Sequence, residues 1–186
     1  ASVLRTANSA YFGNASRCDN LADAVLRLGS KTLYRIAANT LTGRWLVHPL
    51  RGYGWEPGDL CRHSLCVAIC AEVFAGMTNL ADASTAYTAG LIHDLGKFAL
   101  AYANLSALDE VASRVPNEYA TWREAETAIL GYDSSQVTKA LLENWVFPSA
   151  FISVGFYYQS PSLAPEVDKP LVTLIHAAKH AASQRG

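Results

Sequence analysis

The chain has 186 residues, of which 51% are hydrophobic and 17% charged, a composition that can bury a large core and argues against disorder. Fifteen basic and sixteen acidic side chains leave a formal charge of −1, which argues against a sequence-independent grip on the phosphates of DNA or RNA. Charged residues interrupt the apolar runs before they reach the ~20 residues of a bilayer span, and the N-terminus lacks the order of a signal peptide, so a soluble, cytoplasmic protein is expected.

The four cysteines, Cys18, Cys61, Cys66 and Cys70, are too sparse for a disulfide framework and suit a reducing compartment. Cys66 and Cys70 lie one helical turn apart and could pinch a metal, but no second pair at finger spacing follows them. Burial as small apolar groups is the favoured reading for all four.

Apolar residues recur at helical spacing along the chain, and the fold class read from them is all-α. Asp19 or Asn20 caps a helix carrying Leu21, Ala24, Val25 and Leu28, which Gly29 ends. Ser30 then caps a second helix with Leu33, Ile36, Ala37 and Leu41. With Arg27, Lys31 and Arg35 this hairpin has the outline of a DNA-reading helix-turn-helix, but the near-neutral charge favours interior packing. The stretch from Leu46 to Asp59, rich in Pro and Gly, reads as a connector between two lobes.

A helix follows whose predicted buried face is Cys66, Ile69, Cys70, Val73, Phe74 and Met77. Asp82 is positioned to cap the next one, with Ala83, Ala86, Tyr87, Gly90 and Leu91 on one stripe that Asp94 continues and Gly96 ends. More helical sequence runs from Phe98 to Val115, before Pro116. Asp133 with Gln136 has the pattern of a capping box opening a helix with Val137, Leu141 and Trp145. Pro148 stands near the start of another, running towards Tyr158. After a loop from Ser160 to Pro165, the last helix points Leu171, Leu174, Ile175, Ala178 and Ala182 inward. The aromatic group Trp145, Phe147, Phe151, Phe156, Tyr157 and Tyr158 is expected mostly in the core.

The residues with most chemical potential are His63 and the adjacent His93 and Asp94, since imidazole and carboxylate are the usual ligands of catalytic divalent metals. Arg62-His63-Ser64 opens one helix, and Gly90-Leu91-Ile92-His93-Asp94-Leu95-Gly96-Lys97 closes another thirty residues later. This pair resembles the HD superfamily of metal-dependent phosphohydrolases. The run Leu4-Arg5-Thr6-Ala7-Asn8-Ser9-Ala10-Tyr11-Phe12-Gly13, with Leu28-Gly29 and the segment from Glu126 through Gly131 to Trp145 and Pro148, resembles the HDOD family within it.

The resemblance covers essentially the whole chain and implies an HD-like helical bundle, residues 56–186, with a small N-terminal helical lobe, residues 1–55. Family members carry one or more helices before the Asn8–Gly13 segment, so that lobe is expected to be incomplete at its start. In catalytic relatives an early His, the His-Asp doublet and a late Asp hold the metal, with extra His residues in the two-metal branch. His63, His93 and Asp94 match the first three ligands.

The late Asp position is Lys179, the extra His after Gly131-Tyr132-Asp133 is Ser134, and the His pair before Ser160-Pro161 is Tyr158 and Gln159. Four potential ligands are therefore missing, and His176 and His180 are the nearby substitutes. The resemblance thus implies a degenerate metal site in a non-catalytic bacterial signal-transduction domain with protein partners and no expected cofactor. Lys179 is expected as a built-in counter-ion for Asp94, and Lys97 as a solvated lysine or a phosphate contact. The alternative is a metal-dependent phosphohydrolase acting on a nucleotide or cyclic dinucleotide, using Mn, Fe, Mg or Zn on His63, His93 and Asp94 with His176 or His180 recruited. A third reading has a nucleotide sensed but not cleaved. No membrane or nucleic-acid partner is expected.

Overall fold

A computed structural model of the chain describes residues 50–183 apart from 104 and 116, together with Arg27, Leu28, Gly29 and Thr32. The chain divides into two compact units, residues 1–44 and 45–186. In the first, Gly29 has φ +70°, the left-handed conformation expected of a helix-ending glycine. The rest of the predicted hairpin, Cys18 and the Leu4–Gly13 run lie outside the described residues.

Among its described residues the second unit consists of helices joined by turns and loops, with one isolated bridge between Leu50 and Trp55 and no named strand. A 3-10 turn, Arg51–Tyr53, precedes α1 (Asp59–Thr78), α2 (Ala83–Ile92), α3 (Leu95–Ala103), α4 (Leu105–Arg114) and α5 (Trp122–Leu130). Then come α6 (Ser134–Asn144), α7 (Ser149–Tyr157), a 3-10 turn at Pro161–Leu163 and α8 (Lys169–Ser183). The stretch read as a connector contributes to the interior: Leu50 and Tyr53 are buried with Leu60, Leu100, Ala101 and Leu108.

The buried face of α1 is not the predicted one. Ile69 and Val73 are 52% exposed, Met77 is 75% exposed and Cys66 is also exposed, whereas Ser64, Val67, Ala68, Ala71 and Ala75 are buried. The reason is a close helix pair. A Cβ placed on Gly90 of α2 would lie 2.7 Å from Ala68 Cα and 2.9 Å from its nitrogen, so α1 must present small residues to let the backbones meet. By length and composition alone α1 could cross a membrane, contrary to the sequence expectation, yet a third of its span (33%) is buried within the protein. Cys61 and Cys70 are half-buried, so the expected burial of cysteines fails for the three described.

Gly96 does not stop α2, which ends at Ile92; it sits in the first turn of α3. It is needed there for space, since a Cβ would come 1.9 Å from Ser134 O on α6, and its amide donates to Thr138 Oγ1 at 2.8 Å. The Asp82 cap is present, its carboxylate accepting from the Thr85 amide at 2.9 Å. So is the capping box, with Asp133 Oδ1 accepting from Gln136 N at 2.9 Å and Gln136 Oε1 accepting from Asp133 N at 2.8 Å. In α8, Leu171, Leu174, Ile175 and Ala178 are buried as predicted, and Ala182 is half-buried. The aromatic group divides: Phe151 and Tyr158 are buried, while Trp145, 40% exposed, edges an apolar groove with Phe98, Tyr102 and Leu141.

Two outcomes follow for thermal or chemical denaturation. Gly90→Ala is expected to destabilise by about 1–3 kcal/mol through overpacking, while Gly76→Ala, on α1 where a Cβ meets open space, stabilises by about 0.5–1 kcal/mol. Asp133 also ties stability to pH. Burial raises its pKa, but bonds from Ser135 and Gln136 and the Arg123 guanidinium bring it below the usual carboxylate range. A depressed folded pKa means stability that is present above the unfolded value of about 4 and is lost as pH falls through the folded one. The stability difference between the native chain and Asp133→Asn should therefore be constant near neutrality and shrink below about pH 4; a difference that grows on acidification would contradict the assignment.

Candidate functional site

The break between α2 and α3 places two polar residues inside the protein. Because α2 ends at Ile92 and α3 begins at Leu95, His93 and Asp94 form a two-residue turn, and both side chains are buried. Here they meet His63 from the first turns of α1, Tyr158 from the end of α7 and Lys179 from α8. The three ligands predicted from sequence do converge: one donor atom each from His63, His93 and Asp94 lie within 4.8 Å of one another.

His93 Nδ1 is 2.7 Å from the Gly90 carbonyl oxygen, which can only accept, so this nitrogen donates. Burial lowers the His93 pKa to about 4, leaving a neutral ring whose Nε2 carries a bare lone pair. Burial also lowers the pKa of His63. Among the described residues both Nε2 atoms lack a hydrogen-bond partner, and they lie near Asp94 Oδ2, at 3.5 Å for His93 and 3.7 Å for His63. Orphaned buried nitrogens beside a carboxylate have the donor chemistry of a metal centre.

The carboxylate is nevertheless taken. Lys97 Nζ lies 2.7 Å from Asp94 Oδ2, and the Tyr158 hydroxyl donates to Oδ1 at 2.5 Å. Tyr158 oxygen in turn accepts from Gln159 Nε2 at 2.8 Å and faces Lys179 Nζ at 3.5 Å, with that ammonium 4.6 Å from the ring centroid. Burial alone would raise the Asp94 pKa, but the Lys97 and Lys179 ammonium groups hold it well below the usual carboxylate range. Burial, and next the Asp94 charge, push the Tyr158 phenol well up, so it stays a donor. A divalent ion would have to displace one ammonium from Asp94 and sit near another. As arranged, these residues do not fit it.

Several expectations change in detail. Lys97 is neither solvated nor free for a phosphate: its side chain is 13% exposed, rests 5.3 Å from the Trp55 ring centroid and pairs directly with Asp94. Lys179 reaches the same carboxylate through Tyr158 rather than by direct contact. His176 is turned away, its Nδ1 donating to the Tyr158 backbone oxygen at 2.8 Å and its ring against His180. Among the described residues neither joins the three-donor group.

Two contributors were not singled out in sequence. Tyr158 was read as a missing His, although a phenol on a helix that leads into the core is a donor in search of an acceptor. Glu126 is fully buried and accepts from Tyr53 Oη and Ser134 N, each at 2.6 Å, tying the 50–55 segment to the start of α6.

Comparison with known proteins gives the same outline. The family model described as the HDOD domain matches residues 1–161. A crystal structure of a candidate phosphohydrolase from Shewanella amazonensis SB2B superposes with TM-score 0.78 at 25% identity, over 99% of this chain and 64% of that one. A candidate signal transduction protein from Marinobacter aquaeolei VT8 gives TM-score 0.75 at 25% identity, over 100% of this chain and 42% of that one. An uncharacterized protein of Treponema pallidum is 24% identical over 93% of this chain, which spans 33% of the relative's length.

Tyr158→Phe should lower stability by about 1–3 kcal/mol, since it strips one oxygen of a buried carboxylate of its donor. The check is urea denaturation of both proteins at neutral pH, where an unchanged midpoint would show that Oδ1 finds water instead.

Proposed function

The chain belongs to the HDOD domain family, and from that premise we propose that it acts as a non-catalytic, cytoplasmic signal-transduction domain of a bacterial regulatory protein. The observation that carries this reading is the state of Asp94. Both its oxygens are engaged by the protein's own Lys97 and Tyr158, so the carboxylate that a hydrolytic metal would need acts as a structural anion between helices. Where a phosphohydrolase centre keeps an open coordination position for substrate or water, this one is closed by side chains. The likeness to the Marinobacter protein supports the same reading. The domain would then work through protein partners, with a nucleotide or cyclic dinucleotide as the small ligand it could also recognise.

One observation favours a second reading. The convergence of His63, His93 and Asp94 is what a metal-dependent phosphohydrolase would require, and the Shewanella protein bears that description. The experiment that separates the two is purification without chelator, metal analysis, reloading with manganese, iron or zinc, and assay against a cyclic dinucleotide. The regulatory reading expects metal far below one ion per chain and no turnover. About one ion held per chain together with phosphodiester hydrolysis would replace it with the enzymatic one.

A further inference from the structure

We propose that Lys97 and Lys179 are a tethered substitute for a divalent cation, and that removing their charges opens a metal site on His63, His93 and Asp94. This inference rests on the regulatory reading of the site and deepens it.

The geometry around Asp94 Oδ2 is the first support. Among the described residues His93 Nε2 has no hydrogen-bond partner and stands 3.5 Å from this oxygen, a buried anion that requires positive charge beside it. His63 Nε2 approaches the same oxygen at 3.7 Å and also lacks a partner. The positive charge is Lys97 Nζ, at 2.7 Å from that very oxygen. The second support is the charge balance. Two ammonium groups beside one carboxylate leave the net charge that one divalent ion beside it would leave. Lys179 supplies the second of them, held against the Tyr158 ring and hydroxyl.

The third support is confinement. Lys97 lies against the Trp55 ring, and His63 is packed between Trp55 and His93 with centroid distances of 5.5 and 5.4 Å. The ammonium is therefore held in a walled position on a flexible stem. Methionine keeps the unbranched shape of lysine without its charge, so Lys97→Met/Lys179→Met empties the charge while filling most of the volume.

The test compares four versions of this chain: native, Lys97→Met, Lys97→Met/Lys179→Met, and the latter with Asp94→Asn added. Each is dialysed against manganese or zinc chloride, its bound metal is counted, and its melting temperature is read with and without the ion. The native chain should hold far less than one ion and show no metal-dependent shift. The double variant should melt about 10 °C lower without metal, as a buried carboxylate loses its partners, then bind about one ion per chain and recover most of that loss. Lys97→Met should fall between them. Adding Asp94→Asn should restore the melting temperature without metal and abolish metal uptake.

If the double variant folds only when refolded with zinc, and the Asp94→Asn triple variant folds without it, the proposal is upheld in its strongest form. It is overturned if the double variant melts like the native chain, takes up no metal, or binds no more than the triple variant. Those failures with an inert native chain leave the regulatory reading standing. Phosphodiester turnover by the native chain would instead overturn the reading beneath it.

Discussion

The pairing of Asp94 with Lys97 is the constraint around which the second unit is arranged. A carboxylate with 2% of its side-chain surface exposed is tolerated only with cationic and hydrogen-bonding partners in place. Four helices and a turn converge there: His63 from α1, the His93-Asp94 turn, Lys97 from α3, Tyr158 from the end of α7 and Lys179 from α8. Such a pair adds little net stability compared with an apolar core, but breaking it is costly. The Lys97 pair is local, three residues apart, whereas His63, Tyr158 and Lys179 approach the same centre from other elements.

The apolar part of the unit serves the same end by a different route. Small residues on α1 let Gly90 of α2 approach Ala68 to backbone distance, and Gly96 at the start of α3 does the same against Ser134 of α6. These two close approaches set α1 against α2 and α3 against α6, on either side of the His93-Asp94 turn. Where bulky side chains would leave a choice of rotamers, backbone against backbone leaves none.

The parts of this arrangement that sequence makes legible are local or carried by resemblance. The caps at Asp82 and Asp133 are short-range hydrogen bonds encoded within four residues, and both are present. The inward stripe of α8 follows from simple periodicity. The convergence of His63, His93 and Asp94 came from motif order across the chain. What failed needed knowledge of the neighbour. The large residues Ile69, Val73 and Met77 form a convincing apolar stripe, yet the alanine face won because α2 offers a glycine opposite it. Gly96 looked like a helix stop because nothing in its own surroundings shows that Ser134 will sit against it. Lys97 looked solvated for the same reason: its pairing with Asp94 depends on how the turn bends, a property of the tertiary fold rather than of the spacing.

The rings around the centre form a continuous row. Trp55 touches His63, His63 touches His93, and His93 meets Tyr158 edge-on at 5.0 Å. Each ring contacts the next, so the row runs unbroken from the segment before α1 to the end of α7. Neighbouring side chains that share contacts couple energetically, so substitutions along the row are not expected to combine as independent losses.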